Sequence, residues 1–279
     1  MPGTRHRLRR DSVGQLTSSI TLLQITDLHL LENQDARLLG VDTADSLRAV
    51  LTQAFSQATP DAVIASGDIT HHGEARAYAR FDAILAEFFA GPVLVLPGNH
   101  DESGPMARYG GERALLQFPD WTVIGVDSHE NGQPGARLTS ADLHSLREQC
   151  RQAAAESKRV LIVAHHPMLD VGCPWLDKDR IQNADELLEW LAGHSTTAAM
   201  VFGHAHQVVE HSYRDIALFG TPATCFQFQP DSATFTIDVD EIRGQPGYRW
   251  LQLAGDGTVR STVERVADYP LEIELPHRS

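Results

Sequence analysis

Short apolar runs rich in β-branched residues recur along this chain, separated by longer amphipathic stretches. The runs are SITLLQIT before Asp27, DAVIASG before Asp68, GPVLVLPG before Asn99, WTVIGVD ending at Asp127, RVLIVA before His165 and AAMVFG before His204. A strand covered on both faces reads as a continuous apolar run, so each predicts a buried strand. Between them lie DSLRAVLTQAFSQA, EARAYARFDAILAEFF, SADLHSLREQCRQAAAES and NADELLEWLAG. Their spacing predicts helices, with Ser140 and Asn183 as polar starts. Strand–helix alternation of this kind predicts an α/β fold with largely parallel strands.

Beyond about residue 215 the texture changes. IALFGTPATCFQF, ATFTIDVD, YRWLQLA and TVRSTVERVA read as strands with short links, and Gly255 to Gly257 as the turn between the last two. They predict an antiparallel second sheet or the edge of one. No internal repeat or linker marks a boundary, so residues 19–279 read as a single domain.

Composition narrows the class. The chain has 279 residues, 42% hydrophobic and 22% charged, which is ordinary for a soluble globular protein. No run of about 18 apolar residues predicts a membrane span. Residues 1–18 carry Arg5, Arg7, Arg9 and Arg10 with few apolar side chains and read as a disordered basic tail. No apolar segment of a signal peptide follows it, so a cytoplasmic location is expected. Cys150, Cys173 and Cys225 are odd in number and widely spaced, which predicts free thiols. The net charge of −14 repels nucleic acid at long range. Neither a nucleic acid nor a membrane is expected as a partner, and a homodimer is left open. A phosphate-bearing substrate would need positive charge supplied locally.

The strand ends supply the chemistry. His204-Ala205-His206 alone would be read as two polar surface residues. However, Asp27-x-His29, Gly67-Asp68, Gly98-Asn99-His100-Asp101 and His165-His166-Pro167 each follow a predicted strand in the same way. Sites in open α/β sheets sit at the carboxyl ends of strands. In extended backbone, residues i and i+2 point the same way, so Asp27 and His29 could share an ion. Asp27, His29, Asp68, Asn99, His165, His204 and His206 form a candidate ligand set of carboxylates, imidazoles and one amide, with no thiolate. That set suits Fe or Mn, with Zn or Co also admitted. It is too large for one tetrahedral ion and fits two divalent ions about 3.5–4 Å apart with one bridging carboxylate.

D-x-H, G-D, G-N-H-D, H-H-P and G-H-x-H in this order resemble the calcineurin-like metallophosphoesterases, from Leu22 to about Gln207. LLQITDLHL, LLGVDTADSL, CPWLDKDRIQNADEL and TPATCFQFQPDSATFTID are similar to the bacterial class III 3′,5′-cyclic-AMP phosphodiesterases. The resemblance implies a four-layer αββα sandwich with two central mixed β-sheets. It implies one ion on Asp27, His29, Asp68 and His206, and a second on Asp68, Asn99, His165 and His204. It implies hydrolysis of 3′,5′-cyclic AMP to 5′-AMP by a two-metal-activated hydroxide, with a broader phosphodiesterase or phosphomonoesterase as the alternative. His29, Asp68, Asn99, His100 and His206 would contact the substrate, and His100, Asp68 and Asn99 would be catalytic. His100 would contact the phosphate and protonate the 3′-oxygen; its alternative is a structural histidine. Asp101 either orients His100 or caps the following turn. His166 reads as structural, and His71, His72, His129, His144, His194 and His211 read as solvated.

Overall fold

The computed structural model describes residues 19–109, 114–193 and 196–275; the predicted tail of residues 1–18 and His194 lie outside them. In chain order the elements are β1 (Ile20–Ile25), α1 (Thr43–Gln57), β2 (Ala62–Ser66), α2 (Ala75–Ala86), β3 (Val93–Leu96), α3 (Ser103–Met106), β4 (Leu115–Gln117), β5 (Trp121–Gly125), α4 (Ser140–Ala155) and β6 (Arg159–Val163). They continue with α5 (Pro174–Asp177), α6 (Ala184–Ala192), β7 (Thr197–Phe202), β8 (Val209–Tyr213), β9 (Ile216–Gly220), β10 (Gly247–Leu253) and β11 (Val259–Arg265). One sheet has the order β11-β10-β1-β2-β3 and the other β4-β5-β6-β7-β9-β8.

Alternation along the buried strands explains the layering. On β1, Leu23 and Ile25 pack with Leu47 and Leu51 of α1 and Phe81 of α2. Ile20 and Leu22 face the other way and pack with Val123, Leu161 and Val201 of the second sheet. The outer face of that sheet buries Ile162 and Met200 against Leu146 of α4 and Leu187 of α6. Helices, sheet, sheet and helices therefore form the four layers predicted. Truncating Leu22, which has no exposed surface, to Ala would cost roughly 2–5 kcal/mol.

Both sheets are mixed. β1-β2-β3 and β5-β6-β7-β9 are parallel, while β10, β11, β4 and β8 pair antiparallel. Of the two expected arrangements, the separate antiparallel sheet does not form and the antiparallel edge does. β10 and β11 make the expected hairpin but add to β1, and β9 joins β7 in parallel. ATFTIDVD is not a strand; Ile237 makes only an isolated bridge to Phe228. Helix starts also differ from expectation. Thr139, not Ser140, caps α4 through a reciprocal box with Asp142. Asn183 precedes α6 but bonds Leu138 N and O instead of capping the helix.

A polar pin crosses between the sheets behind the strand ends. Gln24 of β1 donates to Ser66 Oγ at 2.9 Å and accepts from Thr221 Oγ1 at 2.6 Å. The fully buried Arg249 of β10 donates to Thr221 Oγ1 at 3.1 Å and Gly220 O at 2.8 Å. Buried polar groups satisfied in this way fix one relative placement of the sheets.

Candidate metal centre and active site

The candidate ligands leave the carboxyl ends of β1, β2, β3, β6 and β7, so two sheets supply the site rather than one sheet edge. The backbone does something the sequence pattern did not predict. Asp27, His29, Asp68, His204 and His206 all have positive φ, between 47° and 63°. Asp27 and His29 therefore do not share a direction through extended backbone. β1, β2 and β7 are each followed by left-handed residues whose polar side chains reach the space between the sheets. Such residues cost about 1 kcal/mol or more each. Backbone bonds hold them: Asp27 N donates to Gly67 O at 3.0 Å, and His29 N to Asp68 O at 2.9 Å. Gly98 is required by contact, because a Cβ there would lie 2.2 Å from Asp68 Oδ1 and 2.7 Å from His165 Nε2.

The seven predicted ligands converge. His165 Nε2 lies 3.5 Å from Asp68 Oδ1 and 3.2 Å from Asn99 Oδ1. His204 Nδ1 lies 2.9 Å from the same Asn99 oxygen. His29 Nε2 lies 3.6 Å from Asp68 Oδ2 and 3.1 Å from His206 Nε2, which is 3.4 Å from Asp27 Oδ1. Asp27-His29-His206, Asp27-Asp68-His165 and His165-His166-His204 are each close enough to hold a metal ion. All seven but Asn99 are buried.

Tautomers decide what these contacts mean. His206 Nδ1 faces Phe226 O at 2.8 Å, and His165 Nδ1 faces Ser66 O at 2.9 Å. A carbonyl can only accept, so each Nδ1 carries its proton and each Nε2 turns a lone pair toward carboxylate or amide oxygen. Lone pairs aimed at lone pairs need a cation or an extra proton between them, so the donor set fits divalent metal ions. Burial holds His29 well below its ordinary value and lowers His204 to about 3. Both are thus neutral, the form that binds metal. Burial alone would lower His165 too, but Asp68 lifts it to about 9. Burial works to raise Asp68, yet the facing imidazoles, His165 foremost, hold it well below the usual carboxylate range.

Asp101 takes neither of its two expected roles. The Asp101 carboxylate accepts from Gly98 N, Ile69 N, Thr70 N, Thr70 Oγ1 and Tyr78 Oη at 2.9–3.2 Å. It clips the loop after β2 to the loop after β3 and makes no hydrogen bond to His100. His100 Nδ1 instead donates to His71 O at 3.0 Å, and the two rings stack at 4.6 Å. His71 is therefore half-buried in the site rather than solvated, with Nδ1 3.2 Å from His29 Nδ1. Burial lowers it to about 4. His129 is half-buried as well, whereas His72, His144 and His211 are exposed. His166 is buried, with Nδ1 2.8 Å from Ser128 Oγ.

A pocket of about 340 Å³ opens over Asp68, Asn99, His100, His204 and His206. Its far wall is apolar and includes Trp175, Phe228 and Phe235. Those rings had no role in the strand-end pattern. They come from α5 and an irregular loop, where no periodicity marks them.

The calcineurin-like phosphoesterase family model matches residues 20–208, which includes every candidate ligand. The chain belongs to this family, a metallophosphoesterase class whose members use divalent metal ions. It is 35% identical to the 3′,5′-cyclic adenosine monophosphate phosphodiesterase CpdA of Pseudomonas aeruginosa, over 95% of this chain and 97% of that protein. It is 34% identical to the protein of the same name from Escherichia coli K12, over 89% and 90% of the two chains. A dimetal phosphatase from Danio rerio shares the fold with a TM-score of 0.60 at 15% identity, covering 89% of this chain and 99% of that one.

Proposed function

We propose that this chain hydrolyses 3′,5′-cyclic AMP to 5′-AMP and so lowers cellular cyclic AMP. The observation that carries this is the convergence of histidine Nε2 atoms on Asp27, Asp68 and Asn99 beneath one pocket. The 35% and 34% identical relatives named as cyclic-AMP phosphodiesterases support the choice of substrate. Asp27, His29, Asp68 and His206 would hold one ion, and Asp68, Asn99, His165 and His204 the other. Iron or manganese suits these nitrogen and oxygen donors. When bound, the ions supply charge neutralisation on the phosphoryl oxygens and a strong nucleophile at neutral pH.

The protein's own groups do the rest. Phe226 O, Ser66 O and the His71 ring fix the orientations of His206, His165 and His29. His100 stands at the pocket with Nδ1 held by His71 O, which leaves Nε2 to act. Protonated, it donates from Nε2 to the 3′-oxygen as the P–O3′ bond breaks, and the neutral ring keeps the Nδ1–H tautomer that the carbonyl requires. Water contributes the new phosphoryl oxygen, and the 3′-hydroxyl leaves on the same product molecule.

Cys150, Cys173 and Cys225 are buried and unpaired, which suits a reducing compartment and supports a cytoplasmic location. No helix among the described residues is long and apolar enough to cross a membrane. The deciding experiment compares kcat/KM for cyclic AMP, cyclic GMP, 2′,3′-cyclic AMP and bis(p-nitrophenyl) phosphate. Cyclic AMP is expected to lead; a clear preference for 2′,3′-cyclic AMP would replace it with the broader phosphodiesterase.

A further inference from the structure

The pocket has two chemically different ends. One is the candidate metal centre. At the other, Trp175, Phe228 and Phe235 meet edge to face, with ring centroids 5.0 Å, 5.5 Å and 5.3 Å apart. Trp175 is held by a bond from Nε1 to Ser232 Oγ at 3.2 Å. Phe228 stacks on His206 at 4.2 Å, so the aromatic cluster begins directly against the metal centre. Phe235 keeps 48% of its surface exposed although it lines the pocket. An aromatic ring left half-open beside a catalytic centre provides a surface on which a flat ligand can stack.

Asp179 lines the same pocket, and among the described residues its carboxylate accepts no hydrogen bond and forms no ion pair; partial burial raises its pKa, offset only by the charge of the adjacent Lys178. A free carboxylate in a pocket that takes an anionic substrate repels it, unless the ligand brings a hydrogen-bond donor to that spot. A purine with an exocyclic amino group brings one, and carboxylates accept from such groups on bases. We propose that Trp175, Phe228 and Phe235 form the base subsite of this enzyme, and that Asp179 accepts from the 6-amino group of adenine. This rests on the reading of the chain as a cyclic-nucleotide phosphodiesterase.

The test uses three substrates with the same cyclic phosphodiester: cyclic AMP, the purine riboside analogue that lacks the 6-amino group, and the methyl riboside that lacks a base. Asp179→Ala should lower kcat/KM roughly tenfold on cyclic AMP and should not lower it on the purine analogue, which loses only the repulsion of the carboxylate. Phe235→Ala and Trp175→Ala should lower both purine substrates roughly tenfold or more, mainly through KM, and spare the baseless one. Phe235 and Asp179 are partly exposed, so their removal leaves the core intact, and circular dichroism melting verifies this. Equal losses on all three substrates, or none, would overturn the subsite. Wild-type turnover of bis(p-nitrophenyl) phosphate with none of cyclic AMP would instead sink the functional reading, and the subsite with it.

Discussion

His165 Nε2 and Asp68 Oδ1 face each other at 3.5 Å in a fully buried setting, and a proton and a metal ion compete for the space between them. Asp68 lifts His165 to about 9, so the metal-free protein keeps that imidazole protonated at neutral pH. Metal must expel the proton. Titration of chelated protein at pH 7.5 should therefore release about one proton per chain, read by calorimetry in buffers of different ionisation enthalpy. Metal binding without proton release would contradict the pairing.

The same groups set the pH dependence of the metal-free protein. His29, His166 and His204 have folded values below the ordinary 6.5, through burial foremost. Below pH 6.5 the unfolded chain takes up their protons first, so stability falls as pH falls. His165 is raised, so its contribution is fully present below 6.5 and is lost as pH rises through about 9. That contribution is about 3 kcal/mol as an order of magnitude. Melting of chelated protein between pH 5 and 10 should give a maximum near 6.5. A midpoint still rising above pH 8 would show that His165 holds no extra proton.

His100 has its Nδ1 committed to His71 O, so its replacement should leave metal content unchanged. His100→Ala should lose roughly 10²–10⁴ in kcat on cyclic AMP, the usual range for acid–base catalysis. A nitrophenyl diester has a leaving group that needs little protonation, so the loss there should be far smaller. An equal loss on both would favour phosphate positioning over proton donation.

Asp68 reaches both His29 and His165, whereas His206 contacts only the Asp27–His29 side. Asp68→Asn should therefore lower metal content toward zero and His206→Asn toward one ion per chain, with the larger loss of turnover in Asp68→Asn. Their loops carry these ligands, yet both side chains are buried, so melting curves must accompany the assays. Near wild-type metal content in Asp68→Asn would remove its bridging role.

The strand ends were legible because an apolar run that stops at Asp, Asn or His has no other outlet for the polar group than the sheet edge. Sequence leaves open whether the last strands form their own sheet or an edge, because YRWLQLA carries no signal for which strand it joins; pairing with β1 is decided by tertiary contact. The left-handed backbone at Asp27, His29 and Asp68 was hidden, since glycine is the residue that announces it. His71 reads as solvated from sequence because no strand-end motif includes it, yet its ring is drawn in by His29 and His100. Trp175, Phe228 and Phe235 meet only because α5 and the loop after β9 fold over the same pocket.

The central claim is that two metal ions on Asp27, His29, Asp68, Asn99, His165, His204 and His206 carry the hydrolysis of cyclic AMP. Elemental analysis and cyclic-AMP turnover on one sample, before and after chelation and after adding back manganese or iron, test it most directly. Close to two ions per chain, loss of turnover on chelation and its recovery on metal addition are predicted. Full turnover in protein without bound metal would contradict it.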